Sequence, residues 1–406
     1  MELKTKSVKG GQLKNMIVKR LYFDKALSCA DLSDHLEKSI PSISKGVNEL
    51  IDEGLVIEEG FASSSGGRRP VIYALKQKAM YILTVAMDQL SMRVQMVDLR
   101  NNPVSGAVMT ELPLLHNPYA LQTLIENINS YIGSTGVARN KIVGIGIGMP
   151  GFVDAVAGTN HSYFNCGDES LTQLISAKTG IPVYIDNDSS LIALAEQKFG
   201  IAKAQRNVMV INLGWGIGLG MIVNGEIYRG NNGLAGEFSH IPLSENGSLC
   251  LCGKPGCLEA EASMLVVAEK AIAGIKNGRV SSLKNTDNLS QPQMVGDAIM
   301  QAANMGDQFA IELLSDAGYK IGKALSILIH IMNPASIVLS GRGAVIGKIL
   351  LAPMQQALNK YCIPRLANST ALLISDLGFN AELTGAAILV MENFDKDIKH
   401  NLITLN

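Results

Sequence analysis

Two stretches decide the fold: IVGIGIGMPGFVD at 142–154 and PVYIDNDSSLIALAEQKF at 182–199. Each opens on an apolar run, too short for a helix and dense in β-branched residues, so each predicts a buried strand. The second run continues into a helix over Ser189–Phe199. Outward from these, strands are expected near Tyr81, at Asn207–Ile211 and at Ser336–Leu339. A glycine-dense hairpin follows Ile211, and long helices span Val295–Ile331. This alternation predicts an α/β chain, with two lobes around a cleft.

Composition narrows the class. The 406 residues are 47% hydrophobic and 17% charged, which excludes a disordered chain. With 35 basic and 36 acidic side chains the formal net charge is −1, so any contact with DNA must be local. Nine Phe, ten Tyr and one Trp are too few for a platform that stacks single strands. The basic start, MELKTKSVKG, lacks the apolar run of a secretory signal. The longest uncharged stretch, Asn207–Gly225, is broken by Asn212 and five glycines, unlike a membrane helix. The expected setting is cytoplasmic, with no membrane partner.

The chain changes character near residue 76. Before it, Leu13, Ile17, Leu21 and Tyr22 have helical spacing. Ser28 with Asp31 forms a capping box that opens a short helix through Leu36. Pro41 suits the first turn of a third helix, whose stripe is Ile43, Val47, Leu50 and Ile51, and Gly54 closes it. Ser42, Ser44, Lys45 and Asn48 then face outward. Gly46 in the helix middle costs up to about 1 kcal/mol relative to alanine. Strands at Leu55–Glu59 and Val71–Leu75 flank the loop SSSGGRRP, which carries Arg68 and Arg69. Three helices and a basic-tipped hairpin predict a winged helix-turn-helix over 1–75. Its third helix would enter the major groove and Arg68 and Arg69 the minor groove. The plainer alternative is a three-helix bundle with a solvated hairpin.

Beyond residue 76, three groups carry chemistry. His240, Cys250, Cys252 and Cys257 supply the donors of a tetrahedral zinc shell, and Gly253 and Gly256 permit the tight turns. Four protein ligands leave no open position, so the zinc is structural. The second group, Asp186, Asn187 and Asp188, ends a strand and starts a helix. Asp188 can accept a sugar hydroxyl, or these residues simply cap the helix. The third, Glu237 and Glu259, flanks the zinc loop over 240–257; both can take sugar hydroxyls or support the metal ligands.

The stretch GLAGEFSH…CLCGKPGCLEAEAS at 233–263 resembles the signature of the ROK family of repressors, open reading frames and kinases. The likeness extends over YFNCGDES, IDNDSSLIALAE, GWGIGLGMIVNGEIYRG and MGDQFAIELL…IGKALSILIHIMNPASIVLSG. With GGRRP ahead, the chain is similar to the repressor branch that controls uptake of N-acetylglucosamine, xylose and glucose. The resemblance implies an actin/hexokinase-like (ribonuclease H-like) two-lobed domain over 76–406 and a homodimer or homotetramer. It also implies zinc at the four residues above and a small carbohydrate or sugar phosphate effector. Sugar contacts carry over to Asn165, Asn187, Asp188, Glu237, His240 and Glu259.

Kinases of that family open with a phosphate loop of Asp-x-Gly-x-Thr type. Here 86–95 reads AMDQLSMRVQ, with Asp88 but without the glycine that lets backbone amides approach phosphates. Trp215 stands where those kinases carry a small hydroxyl residue, and Arg342 interrupts the later SGRGA loop. Phosphoryl transfer depends on positioning and charge, so Asp188, the equivalent of a kinase base, has no reaction to serve. Two departures touch the sugar side: Ser190 in place of an Asn, and Phe238-Ser239 before the zinc histidine. The expectation is a non-enzymatic, sugar-gated repressor that binds a double-stranded DNA operator. The alternatives are a sugar kinase with an accessory DNA-binding domain and a scaffold controlled by a protein partner.

Overall fold

The computed structural model describes residues 2–62, 69–164, 166–167, 169–285 and 292–395. The chain divides into two compact units, residues 1–186 with 386–406, and residues 187–385.

The first unit begins with a helical head. Helix α1 (Glu2–Asp24) starts well before the apolar stripe that predicts it, and is followed by β1 (Ala26–Ser28), α2 (Cys29–Leu36) and α3 (Ile40–Asp52). The capping box of Ser28 and Asp31 is present, Pro41 lies in the first turn of α3, and Gly54 is left-handed at φ +72°. Ile17, Leu32, Ile43, Val47 and Leu50 are fully buried, and Ile51 is half-buried. Gly46 has a packing reason: a Cβ there would stand 2.9 Å from Ile17 Cδ1, so the glycine lets α3 close on α1. Strands β2 (Val56–Phe61) and β3 (Val71–Leu75) form the hairpin, and β3 also pairs with β1, giving the order β1-β3-β2.

The head is fastened to the rest of its unit. Tyr22 Oη donates to Asn101 Oδ1 at 2.6 Å. Arg100 reaches back, Nε to the Leu75 carbonyl at 2.5 Å and Nη1 to Glu59 at 2.6 Å. Lys19 Nζ donates to the Glu392 carbonyl and to Asp395, each at 2.9 Å.

The body of this unit carries β4 (Tyr81–Met87), β5 (Ser91–Asp98), β6 (Val108–Glu111), α4 (Ala120–Thr135), β7 (Ile142–Met149), the small hairpin β8 (Val153–Asp154) and β9 (Thr159–Asn160), α5 (Leu171–Thr179) and β10 (Val183–Asn187). The sheet order is β10-β7-β4-β5-β6, with β7 parallel to β4 and the β4-β5-β6 meander antiparallel. Every residue of β7 is buried, as its apolar run predicts.

The second unit opens with α6 (Asp188–Lys198), β11 (Val208–Leu213), β12 (Ile217–Val223) and β13 (Glu226–Ile227). It continues through α7 (Leu258–Ala262), α8 (Met264–Lys276), α9 (Pro292–Asn304), α10 (Gln308–Met332), β14 (Ser336–Ser340), α11 (Gly347–Tyr361), α12 (Pro364–Ala367) and β15 (Ala371–Ile374). Helix α13 (Ala381–Asn393) begins in this unit and returns the chain to the first. The sheet order β13-β12-β11-β14-β15 repeats the order of the first unit, a three-stranded meander with two strands added at one side; here both added strands are parallel to β11. The result is mixed α/β. Among the described residues no helix is long and apolar enough to cross a membrane.

Candidate functional site

The strongest site is the cysteine loop. His240 ends a short 3₁₀ turn, Cys250 and Cys252 stand on the loop, and Cys257 precedes α7. One donor atom from each of the four lies within 4.8 Å of all the others. His240 Nδ1 is 3.7 Å from Cys250 Sγ, and Cys252 Sγ is 3.6 Å from Cys257 Sγ. A tetrahedron with Zn–S bonds of about 2.3 Å has edges of about 3.8 Å, close to these two separations, so the donor set fits such an ion. Backbone bonds shape the loop: Cys250 N–H donates to the Lys254 carbonyl and Gly253 N–H to the Cys250 carbonyl, each at 2.9 Å. Gly256, at φ +72°, faces the Ser244 carbonyl at a distance that leaves no space for a Cβ. Glu261 ties the loop to α10, accepting from Ser248 N–H at 2.9 Å and from Lys320 Nζ at 3.3 Å.

The two flanking glutamates differ. Glu237 Oε2 lies 3.7 Å from His240 Nε2, the ring nitrogen opposite the one that faces Cys250, which fits a carboxylate supporting a metal-bound imidazole. The surrounding protein raises its carboxyl above the usual range, against the pull of His240. Glu259 is on α7, and its Oε2 accepts the Ile217 N–H at 2.9 Å. Burial pushes its carboxyl up to about 7, the Ile217 bond opposes this, and the charge of Asp188 adds to it. The charge of Asp188 is thus felt at Glu259.

At the start of α6 the capping role falls to Asn187, whose Oδ1 accepts from Ser189 and Ser190 N–H at 3.0 and 3.2 Å. Asp188 Oδ1 accepts from Ser189 N–H at 2.7 Å and from its hydroxyl at 3.1 Å. Its Oδ2 accepts from Asn212 Nδ2 at 3.1 Å, a partner that sequence reasoning did not assign. The signal for it was a lone amide inside the apolar run of β11. Asn165 lies outside the described residues.

The segments compared above with kinase loops are occupied by the chain itself. Asp88 closes the turn between β4 and β5, accepting from Leu90 and Ser91 N–H at 2.8 and 2.7 Å. Trp215 is 3% exposed. The Arg342 guanidinium lies 4.6 Å from the Trp215 ring and 4.3 Å from that of Phe379, with Nη1 on both Asp297 oxygens at 2.8 and 2.9 Å.

On the head, Ser42, Lys45 and Asn48 are exposed on α3 and Ser44 is half-buried. Arg69 is exposed, and Arg68 lies outside the described residues.

Known proteins resemble the chain in sequence and in fold. The ROK family profile matches residues 116–393. The xylose repressor of Bacillus spizizenii is 30% identical over 394 residues, 93% of this chain and 94% of its own. A glucokinase of Halalkalibacterium halodurans is 34% identical over 267 residues, 65% of this chain and 81% of its own. The crystal structure of a ROK family transcriptional regulator, a homolog of the E. coli MLC protein, superimposes with a TM-score of 0.75 at 26% identity, over 97% of this chain and 98% of that one. With the profile spanning most of the sequence and relatives aligned from head to second unit, the chain belongs to the ROK family.

Proposed function

We propose that this protein is a sugar-responsive transcriptional repressor of carbohydrate-metabolism genes and not an enzyme. Residues 1–75 form a winged helix-turn-helix that binds a double-stranded operator, and residues 76–406 hold the effector, a small carbohydrate or sugar phosphate. One observation carries the reading: the xylose repressor aligns over 93% of the chain, whereas the glucokinase aligns over 65%.

In this reading α3 lies in the major groove. Ser42, Ser44 and Asn48 offer hydrogen bonds to base edges, and Lys45, Arg68 and Arg69 neutralise phosphates or enter the minor groove. A two-fold operator matches a homodimer or a dimer of dimers. Asp188 and Glu259 accept hydroxyls of the sugar, with Asn165, Asn187, Glu237 and His240 completing the set. A zinc ion on His240, Cys250, Cys252 and Cys257 staples the loop that Glu237 and Glu259 flank. When bound, it supplies rigidity, with no open position for chemistry. To turn an operator from 99% bound to 99% free, the sugar must favour the released state by about 10⁴-fold.

The experiment is binding to duplex fragments from the protein's own upstream region, with and without a panel of sugars and sugar phosphates. Salt-sensitive binding relieved by one sugar is expected. Absence of specific binding, or binding indifferent to every sugar, overturns the reading.

A further inference from the structure

We propose that Asn212 is a positioning residue of the effector site, holding the Asp188 carboxylate in the pose that receives a sugar hydroxyl. The proposal rests on the reading of Asp188 as a sugar-binding residue and adds the group that orients it.

Strand β11 reads VMVINL and is buried along its whole length; Asn212 is its one polar side chain, 9% exposed. A buried amide is costly unless it is hydrogen-bonded, so its place in an apolar strand calls for partners. Both hydrogens of Nδ2 find them: one goes to Asp188 Oδ2 at 3.1 Å, the other to Ser189 Oγ at 3.2 Å. Because Ser189 Oγ accepts from Asn212, its own proton is directed at Asp188 Oδ1, 3.1 Å away. Asn212, Ser189 and Asp188 therefore close a ring of hydrogen bonds in which each carboxylate oxygen is engaged. The amide orientation follows from the chemistry, since a carboxylate oxygen accepts only and Oδ1 could not take the place of Nδ2.

The surroundings are shaped for this ring. Gly218 pairs with Asn212 across β11 and β12, and a Cβ there would stand 2.0 Å from Ser189 Oγ. Gly341, just beyond β14, leaves space for the amide oxygen; its Cβ would stand 2.4 Å from Asn212 Oδ1. Two glycines thus clear the volume that the bridging side chains occupy. The Ser189 backbone N–H and hydroxyl hold Asp188 Oδ1, and Asn212 holds Oδ2, so the carboxylate is fixed at both oxygens.

The test is calorimetric titration of the full chain and of Asn212→Ala, Asn212→Ser and Asn212→Asp with D-xylose, D-glucose and N-acetyl-D-glucosamine. Thermal melting and operator binding without sugar are measured alongside. The sugar that binds the wild type should bind Asn212→Ala at least tenfold more weakly, because a hydrogen bond to a charged group is lost. Asn212→Ser, which retains a hydroxyl, should fall between them. Asn212→Asp should be weakest, because its charge faces Asp188. Operator affinity should be unchanged in all three. A packing role predicts sugar affinity that falls only in step with thermal stability across the three variants; that result overturns the proposal, as does binding within twofold throughout. If Asn212→Ala does not fold, the Ser and Asp variants decide. Failure of the wild type to bind any of the three sugars or their phosphates, titrated in the same way, while it binds DNA overturns the sugar reading itself, and this proposal with it.

Discussion

The guanidinium of Arg342 lies 4.6 Å from the ring of Trp215, with the Phe379 ring 4.3 Å away. Two residues that read in sequence as interruptions of glycine-rich loops are partners in one stack. Removing the guanidinium by Arg342→Ala loses two cation–π contacts of roughly 0.5–1 kcal/mol each, and leaves Asp297 without its partner. A fall of a few degrees in Tm is expected by calorimetry. Neither this variant nor the wild type should release ADP from ATP with a hexose panel; steady release would restore the kinase alternative.

Asp188→Asn retains the shape of the side chain and removes its charge. Sugar response should be lost while operator affinity is preserved. Loss of DNA binding instead would show that Asp188 serves the fold and not the effector.

Metal content gives an independent check on the cysteine loop. Elemental analysis should find about one zinc per chain, and Cys257→Ser should lose it together with the sugar response, because the loop that Glu237 and Glu259 flank loosens. A metal-free wild type with full sugar response would dismiss the staple.

Glu259 sets a pH dependence. Its carboxyl is pushed up to about 7, so it is mainly protonated at pH 6 and mainly ionised at pH 8. If it accepts a hydroxyl as the anion, sugar affinity should rise by roughly an order of magnitude over that interval. Glu259→Gln should flatten the rise. A wild type with constant affinity would remove Glu259 from the site.

The head separates charge from sequence readout. Lys45→Ala and Arg69→Ala should each lower the salt slope of operator binding by about 1 and weaken all sequences alike. Asn48→Ala should relax preference at one base pair by about 1–3 kcal/mol, read by selection from a random duplex library. If Lys45→Ala left the slope unchanged, α3 would not be the element that enters the groove.

Much of this architecture is legible in the sequence because it is written locally. The Ser28 capping box, Pro41, Gly54 and the stripe through Ile43, Val47 and Leu50 all act within a few residues of one helix. The cluster of His240, Cys250, Cys252 and Cys257, which could hold a metal ion, is legible by residue type and spacing. Strand β1 escapes because three residues before a helix cap carry no alternation to read. Gly46 reads as a penalty until Ile17 is seen against it. Asn212, Trp215 and Arg342 stand out only as irregularities, since their partners are side chains brought close by the sheet and not by the chain. The site residues themselves follow the same division: Asn187 caps, as local rules allow, while Asp188 is held by a strand 24 residues away.

The bonds from Tyr22 to Asn101, from Arg100 to Leu75 and Glu59, and from Lys19 to Glu392 and Asp395 have a consequence for anyone exchanging parts between members of this family. A chimera cut at residue 75 would transplant a head without its socket. The graft would need Arg100, Asn101 and the end of α13 with it, because the partners that hold the head are discontinuous in sequence.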